Sequence, residues 1–474
     1  MSQVTAEKIV ANRSVNPAAP GQVVHEFTPA SAEDATAAVE AAAAAAGDWA
    51  ALPANKRSAV LLGVADELAA MTPDLARVIT REEGKPLAAA TGEVGKTVEQ
   101  FRFAAQLAFQ VEGSTYPQET PGTFAYTLRA PIGVVVAITP WNFPVSLAAR
   151  KIAPALAAGN AVLFKPSPVT AGAGAMFVQA CHAAGVPAEV LALIQGDDSE
   201  AMRALVGSPL VGGVSFTGSD ATGELLRQTT NSRARLQFEL GGHNAAVVCA
   251  DANLQQAAAA VAGGAFGLTG QACTATDRVL VQREVYDEFV ELLVERVQAL
   301  RVGPGEQDGT TVGPVATAGQ HQRLTALLAS AADAGTVAGQ TALDASLDPD
   351  GFWVPPTVLT DVPAEHPLNT TEVFGPLLSV LPIDSAEHGT DVINASAHGL
   401  STAIHTRNLH HAQRFAQRVT CGVVKINQST TGNGVAPPFG GWKASSSGAF
   451  PEGGRGALDF VTDTKTVYFG YQEA

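Results

Sequence analysis

The sequence predicts an α/β protein: a doubly wound parallel sheet, a second alternating α/β unit and a small separate β arm. Three observations carry that prediction. From Pro131 to Thr229, apolar β-branched runs alternate with helical text, the pattern of parallel strands buried on both faces. A second alternating series starts near Asn244 and runs to about Lys443. The polar, aromatic-dotted stretch 113–130 and the end of the chain read as extended segments that belong to neither core.

The elements follow in order. Ser31 opens a Ser-x-x-Asp capping pattern, and the alanine-rich text behind it reads as a helix. A second helix follows Pro53, a third spans 73–83 and stops at Gly84, and a fourth runs from about Glu93 to Phe109. Beyond the 113–130 arm, strand text at 133–138 leads to a helix from Ser146, strand text at 160–165 and a helix over 170–184. A strand at 190–194, a short helix around Glu200, a strand at 213–216 and a helix over 219–229 complete the first series. In the second series, strand text at 244–248 precedes helices over 285–300 and 320–334, a proline-punctuated segment at 351–359 and a strand at 422–427. The final strand pattern, 458–469, pairs with the 113–130 arm in a small sheet of its own.

At 474 residues the chain is longer than one core sustains, so two or more domains are expected. A net charge of −16 argues against nucleic acid or an anionic membrane as the main partner, although a local cationic patch can still take an anionic substrate. Cys181, Cys249, Cys273 and Cys421 lie far apart with no zinc-type spacing, which suits a reducing compartment and no metal. The chain's start lacks a basic segment followed by an apolar core, and the alanine run at 39–52 is too short for a span. A cytoplasmic protein is expected.

Four strand-end stretches could carry chemistry, since open α/β sheets bind ligands at the carboxyl ends of their strands. Trp141-Asn142-Phe143-Pro144 places an amide that can donate to a developing oxyanion, or a structural turn. Phe164-Lys165-Pro166-Ser167 offers a lysine for ribose hydroxyls or phosphate, or a solvated loop lysine. Phe216-Thr217-Gly218-Ser219 sets a glycine turn before a helix start, an anion-binding arrangement that departs from G-x-G-x-x-G. Glu239-Leu240-Gly241-Gly242 holds a carboxylate with room for a water, a candidate general base. Between a helical run and the strand text Val279-Leu280-Val281 lies Gly270-Gln271-Ala272-Cys273-Thr274, whose thiol is either a nucleophile or a small buried residue.

These stretches, in this order, with GQACTAT and then Glu372-Val373-Phe374-Gly375-Pro376 behind them, resemble the aldehyde dehydrogenase superfamily, and the likeness covers essentially the whole chain. The resemblance implies a dinucleotide-binding domain at 1–112 and 131–241 and a catalytic domain at 242–445. It assigns 113–130 and 446–474 to an oligomerisation arm and tail. It implies Cys273 as nucleophile, Asn142 as oxyanion donor and Glu239 as the base that activates water. Lys165, Ser167, Trp141, Gly218, Ser219, Glu372 and Phe374 would form the NAD or NADP site, and no metal is implied. Coenzyme-A-acylating relatives typically lack the glutamate, so Glu239 favours release of a free acid.

Arg150, in the helix facing the expected substrate tunnel, resembles the arginine of succinate-semialdehyde dehydrogenases, and a guanidinium can hold a carboxylate in bidentate fashion. An internal ion pair is the competing role. GQACTATDR and PFGGWKASSSG look like 2-oxoglutarate-semialdehyde (2,5-dioxopentanoate) dehydrogenases, which puts an anionic semialdehyde first and a sulfonated or uncharged aldehyde behind it. Pro168 stands where NAD-preferring members carry a glutamate, which favours NADP. His243 and the Pro451-Glu452-Gly453-Gly454 segment depart from the usual text; neither touches the proposed chemistry, though the second can alter a loop near the tunnel mouth. A homodimer or homotetramer is expected from the arm. The other readings are a catalytically retired relative and a cysteine hydrolase without a redox cofactor.

Overall fold

The computed structural model describes residues 12–471; residues 1–11 and 472–474, the start read for a secretory leader among them, lie outside the described part. At the centre of the first unit stands the strand Val134–Ile138. Ala161–Lys165 and then Leu191–Leu193 pair on one side of it, and Val211–Thr217 and then Arg235–Glu239 on the other, all in parallel. The chain therefore winds out to one edge, returns to the middle and winds out to the other. That reversal opens a crevice at the carboxyl ends of the strands.

Both faces of this sheet are covered, as its unbroken apolar strands require. Val135, Ala137, Val162 and Phe164 point into a core built with the helices Ala54–Ala70 and Leu87–Leu107. Val134, Val136, Ile138 and Leu163 point the opposite way, against Ala35, Val39, Ala42 and Leu205. The helix Ala32–Ala51 behind that second core carries the expected capping box: Ser31 accepts from the Asp34 N–H while the Asp34 carboxylate accepts from the Ser31 N–H.

The second unit is a seven-stranded sheet in the order Thr336–Gln340, Thr357–Thr360, Leu377–Ile383, Thr276–Gln282, Asn244–Val248, Ser401–His405, Val423–Ile426. Only the outermost pair, Thr336–Gln340 with Thr357–Thr360, is antiparallel. The turn Leu240-Gly241-Gly242-His243 carries the chain directly from the last strand of the first sheet to the middle of the second. The arm is a third sheet, in which Thr462–Gly470 pairs antiparallel with Thr123–Pro131 and Thr115–Tyr116 adds an edge.

Several boundaries move. The fourth helix begins at Leu87, not near Glu93, because Pro86 supplies a compatible φ of −55° ahead of it. Thr91, Gly92 and Gly95 blur the apolar period there, which hides the first turns from a periodicity reading. Ala457–Val461 is a helix, and the terminal strand starts only at Thr462. The hairpin Arg13–Asn16 with Ala19–Glu26 was not expected; its largely exposed, polar text carries little strand signal.

Candidate active site

Two cavities meet at Cys273. A cleft of about 390 Å³ is lined by Trp141, Asn142, Gly218, Ser219, Glu372 and Phe374 together with Cys273. A second cavity of about 300 Å³ is lined by Glu239, Arg150, Phe439 and, again, Cys273. The thiol is half-buried, whereas Cys181, Cys249 and Cys421 are buried.

The loop that delivers the thiol is strained. Leu268, Thr269 and Gly270 have φ of 54°, 58° and 69°, a left-handed run that costs the non-glycine residues about 1–3 kcal/mol each. Tertiary contacts hold it: the Thr269 hydroxyl donates to the Gly313 carbonyl at 3.1 Å, and the Ala316 N–H donates to the Gln271 side chain at 2.9 Å. A Cβ on Gly270 would stand 2.1 Å from the Gly375 carbonyl oxygen, so only glycine fits. Behind the thiol, Asn244 donates to the Cys273 carbonyl at 2.8 Å. Gly242 lets the inter-sheet turn come close, since a Cβ there would lie 2.4 Å from the same oxygen.

Asn142 sits beside this loop and donates through Nδ2 to the Gln271 carbonyl at 2.8 Å, which leaves one amide hydrogen free. Among the described residues the Cys273 N–H has no acceptor. Asn142 is itself held from below. The buried Lys85 ammonium donates to its carbonyl and pairs with Glu93 at 2.8 Å. The other Glu93 oxygen accepts from the Val145 and Ser146 N–H groups at 3.0 and 3.2 Å, satisfying the first turn of the helix Ser146–Ala158.

Glu239 ends its strand with both carboxylate oxygens engaged, accepting from the Gly441 N–H at 3.1 Å and the Ser446 hydroxyl at 3.2 Å. Burial raises its pKa well above the ordinary carboxylate range, and the nearby Glu452 carboxylate adds to the rise while Lys151 opposes it. Burial likewise pushes the Cys273 thiol up to about 12, with Glu372 and Glu239 contributing in the same direction. Glu372 is raised to about 8 by burial and accepts from the Gly242 N–H at 2.9 Å.

The Pro451–Gly454 segment reaches further into the site than a loop near the tunnel mouth. Glu452 lines the cavity with Cys273 and Glu239, and forms a buried ion pair with Lys151. His243 is buried beyond both cavities, its pKa lowered to about 3 by burial and by Arg278.

Trp141, Gly218, Ser219, Glu372 and Phe374 are brought together on the wall of the first cleft, with the Trp141 and Phe374 rings edge-to-face at 5.5 Å. Ser219 caps the helix Asp220–Thr229, whose N-terminus opens onto the cleft. Lys165 and Ser167 lie outside that wall, at the end of their strand. Lys165 pairs with Asp197 at 3.0 Å, and Ser167 caps the short turn containing Pro168. A helix N-terminus, a carboxylate with one oxygen engaged, aromatic walls and a nearby lysine fit a dinucleotide.

Arg150 lies over the Phe439 ring at 4.6 Å, and among the described residues no carboxylate pairs with it. The internal ion pair weighed against a binding role is therefore not formed. Pro154, four residues on in the same helix, lacks the N–H that would bond the Arg150 carbonyl, which loosens the helix there.

Comparison with known proteins agrees with this arrangement. The family model described as "Aldehyde dehydrogenase family" matches residues 4–467. The alpha-ketoglutarate semialdehyde dehydrogenase of Haloferax volcanii is 39% identical over 471 residues, spanning 99% of this chain and 97% of that one. The 2,5-dioxopentanoate dehydrogenase of Saccharolobus solfataricus is 35% identical, with 96% of each chain covered. The solved structure of 3,6-anhydro-L-galactose dehydrogenase in complex with NAP is similar at a TM-score of 0.93 and 33% identity, over 97% of this chain and 96% of that one. A match of this extent, over a chain whose thiol, amide and carboxylate converge between two parallel sheets, leaves one conclusion: the chain belongs to the aldehyde dehydrogenase family.

Proposed function

We propose that this enzyme oxidises an aldehyde bearing a distal carboxylate to the free acid, with Cys273, Asn142 and Glu239 carrying the chemistry and Arg150 holding the far end. NAD(P)-dependent aldehyde oxidation follows from the family; the residue roles and the anionic substrate are our proposal, supported by the cavity geometry. The observation that carries it is the meeting of two differently built cavities at one thiol: one suits a dinucleotide, the other ends in an unpaired guanidinium.

The steps can be assigned to the chain's own atoms. The Cys273 sulfur, its proton passed to Glu239, adds to the aldehyde carbon. The free Asn142 amide hydrogen and the Cys273 N–H receive the oxygen as it becomes an oxyanion. NAD(P)+, when bound, supplies the acceptor for the hydride lost from that carbon. Glu239 then gives up the thiol's proton to solvent and becomes a base again. It takes a proton from the water that attacks the Cys273 thioester, the C–S bond breaks, and the departing thiolate recovers that proton as the acid is released. Trp141, Phe374, Gly218, Ser219 and Glu372 would hold the dinucleotide, with Lys165 and Ser167 at its outer end. The absence of a carboxylate at Pro168 favours NADP.

2-Oxoglutarate semialdehyde is the first candidate, supported by the substrates for which the Haloferax and Saccharolobus relatives are named; succinate semialdehyde is the second. The exposed aromatic arm supports self-association as a dimer or tetramer. A panel of carboxylated and uncharged aldehydes assayed with both cofactors tests the reading. Replacing Arg150 with alanine should lower kcat/KM for carboxylated aldehydes by about 10- to 100-fold, the loss expected for a charge-assisted hydrogen-bonded pair. Unchanged turnover of every carboxylated aldehyde would refute it.

A further inference from the structure

Arg150 is not the only cation at its end of the cavity. Lys96, on the helix Leu87–Leu107, lines the same space, and its ammonium donates to the Asn433 carbonyl. Lys425, from the neighbouring strand, donates to the Gly432 carbonyl. The loop at 431–433 is thus pinned over the cavity by two lysines. Among the described residues none of the three cations has a carboxylate partner within ion-pair distance, in a chain whose net charge is −16.

The nearest acids are otherwise committed or turned outward. Glu93 is taken by Lys85 and by the start of the Ser146–Ala158 helix, and Glu99, three residues on from Lys96, is exposed and not within ion-pair distance of it. Crowding three like charges costs free energy: burial, Arg150 and Lys425 together lower Lys96 to about 8, against smaller opposing effects of Glu99 and Glu93. A ligand with oxygens for more than one cation relieves that cost. The two-pronged guanidinium of Arg150 can engage both oxygens of a single carboxylate. An ammonium has three donors, and Lys96 spends one on Asn433, so donors remain for a second substrate oxygen.

We propose that Lys96 is a second specificity-determining contact, so that this cavity takes an aldehyde ending in a 2-oxocarboxylate in preference to one ending in a carboxylate alone. Arg150 holds the carboxylate and Lys96 the adjoining oxo oxygen. The proposal rests on the anionic-substrate reading above and adds to it a discrimination between two carboxylated aldehydes.

The test compares kcat/KM for 2-oxoglutarate semialdehyde, succinate semialdehyde and hexanal in the full-length enzyme and in Lys96→Met and Lys96→Arg. The wild type should favour the 2-oxo substrate. Lys96→Met should lower the 2-oxo to succinate ratio by about tenfold, through KM, as expected for one charge-assisted hydrogen bond. Lys96→Arg should restore most of that ratio. In the wild type, KM for the 2-oxo substrate should rise as pH passes about 8 and Lys96 loses its proton, and in Lys96→Arg that rise should vanish. Equal activity of the wild type on both carboxylated substrates, or an equal loss on both in Lys96→Met, overturns the role of Lys96 alone. A wild type no better on either carboxylated aldehyde than on hexanal overturns the anionic reading along with it. Should Lys96→Met fail to fold, the wild-type preference and the pH profile of Lys96→Arg decide the matter.

Discussion

Replacing Glu239 with glutamine separates the two halves of the reaction. The carboxylate accepts from the Gly441 N–H at 3.1 Å and the Ser446 hydroxyl at 3.2 Å. A glutamine of the same size keeps both contacts: its carbonyl accepts from Gly441, and its amide donates to the Ser446 oxygen. The fold should therefore lose no more than about 1 kcal/mol, one rearranged hydrogen bond. What disappears is the proton acceptor for water. A positioned general base contributes about 10²- to 10⁴-fold, or about 3–5 kcal/mol of barrier. Stopped-flow detection of NAD(P)H should then show a burst that still approaches one equivalent per subunit but rises more slowly than in the wild type, because Glu239 also takes the thiol's proton, followed by a steady state slowed by that factor. The wild-type steady-state rate should climb with pH through a value above the ordinary carboxylate range, because burial and Glu452 raise Glu239, and the variant should lose that limb. A steady state equal to wild type would refute the assignment. Loss of the burst with cofactor binding intact would move Glu239's main work from water to the thiol.

The other predictions concern the surrounding frame. The resting Cys273 thiol, held near 12, should react slowly with iodoacetamide at neutral pH and faster as pH rises; fast labelling at pH 7 would contradict that placement. Gly270→Ala meets the Gly375 carbonyl at 2.1 Å with φ at 69°, so a loss of at least about 1–3 kcal/mol and a lower Tm are expected, and an unchanged Tm would be incompatible with the loop described. Asp197→Asn frees Lys165 from its 3.0 Å partner and should raise NADP over NAD in kcat/KM; no change would mean that Lys165 does not face the ribose end. His398 pairs with Asp220 at 2.8 Å, and its pKa is raised above 6.5 by that hydrogen bond. The pair's contribution, about 1 kcal/mol or less for a partly exposed couple, is complete below 6.5 and fades as pH rises through the folded value. Tm of His398→Asn should accordingly lie furthest below wild type under mildly acidic conditions, and a pH-independent gap would contradict this.

The sheets and the proposed reacting groups were legible because each is local. A strand's apolar run announces itself, and Asn142, Glu239 and Cys273 lie in short stretches at or near strand ends, where a reader of α/β folds looks. Glu452 escaped because its meaning depends on a partner some three hundred residues away: nothing in the text near Lys151 says that a glutamate from the tail will enter the same pocket. Lys85 and Glu93 were hidden for a similar reason, since helical text gives a face but not the depth of burial beneath Asn142. The strained run before Cys273 was equally invisible. Leu268 and Thr269 have no intrinsic taste for left-handed backbone, and tertiary contacts such as Thr269 to Gly313 and Gln271 to Ala316 hold the loop there.

The raised thiol and the raised carboxylate make sense together. A half-buried thiol beside three glutamates, its proton held tightly, is a poor nucleophile at rest, which shields it from adventitious oxidation and alkylation. It can still be deprotonated where the acceptor has been raised as well, because the cost of proton transfer is set by the difference between the two pKa values rather than by either alone. Burial lifts Glu239 and Cys273 in the same direction, so the gap is narrower than a free carboxylate would present to the same thiol. The negative charge left on the sulfur after transfer lies within the field of Arg150, which lowers the thiol. An anionic substrate that neutralises Arg150 removes part of that help, and a second cation at the same end restores it. The requirement that substrate binding must not quench the thiolate is thus a physical reason, independent of affinity, for Lys96 to share the far end with Arg150.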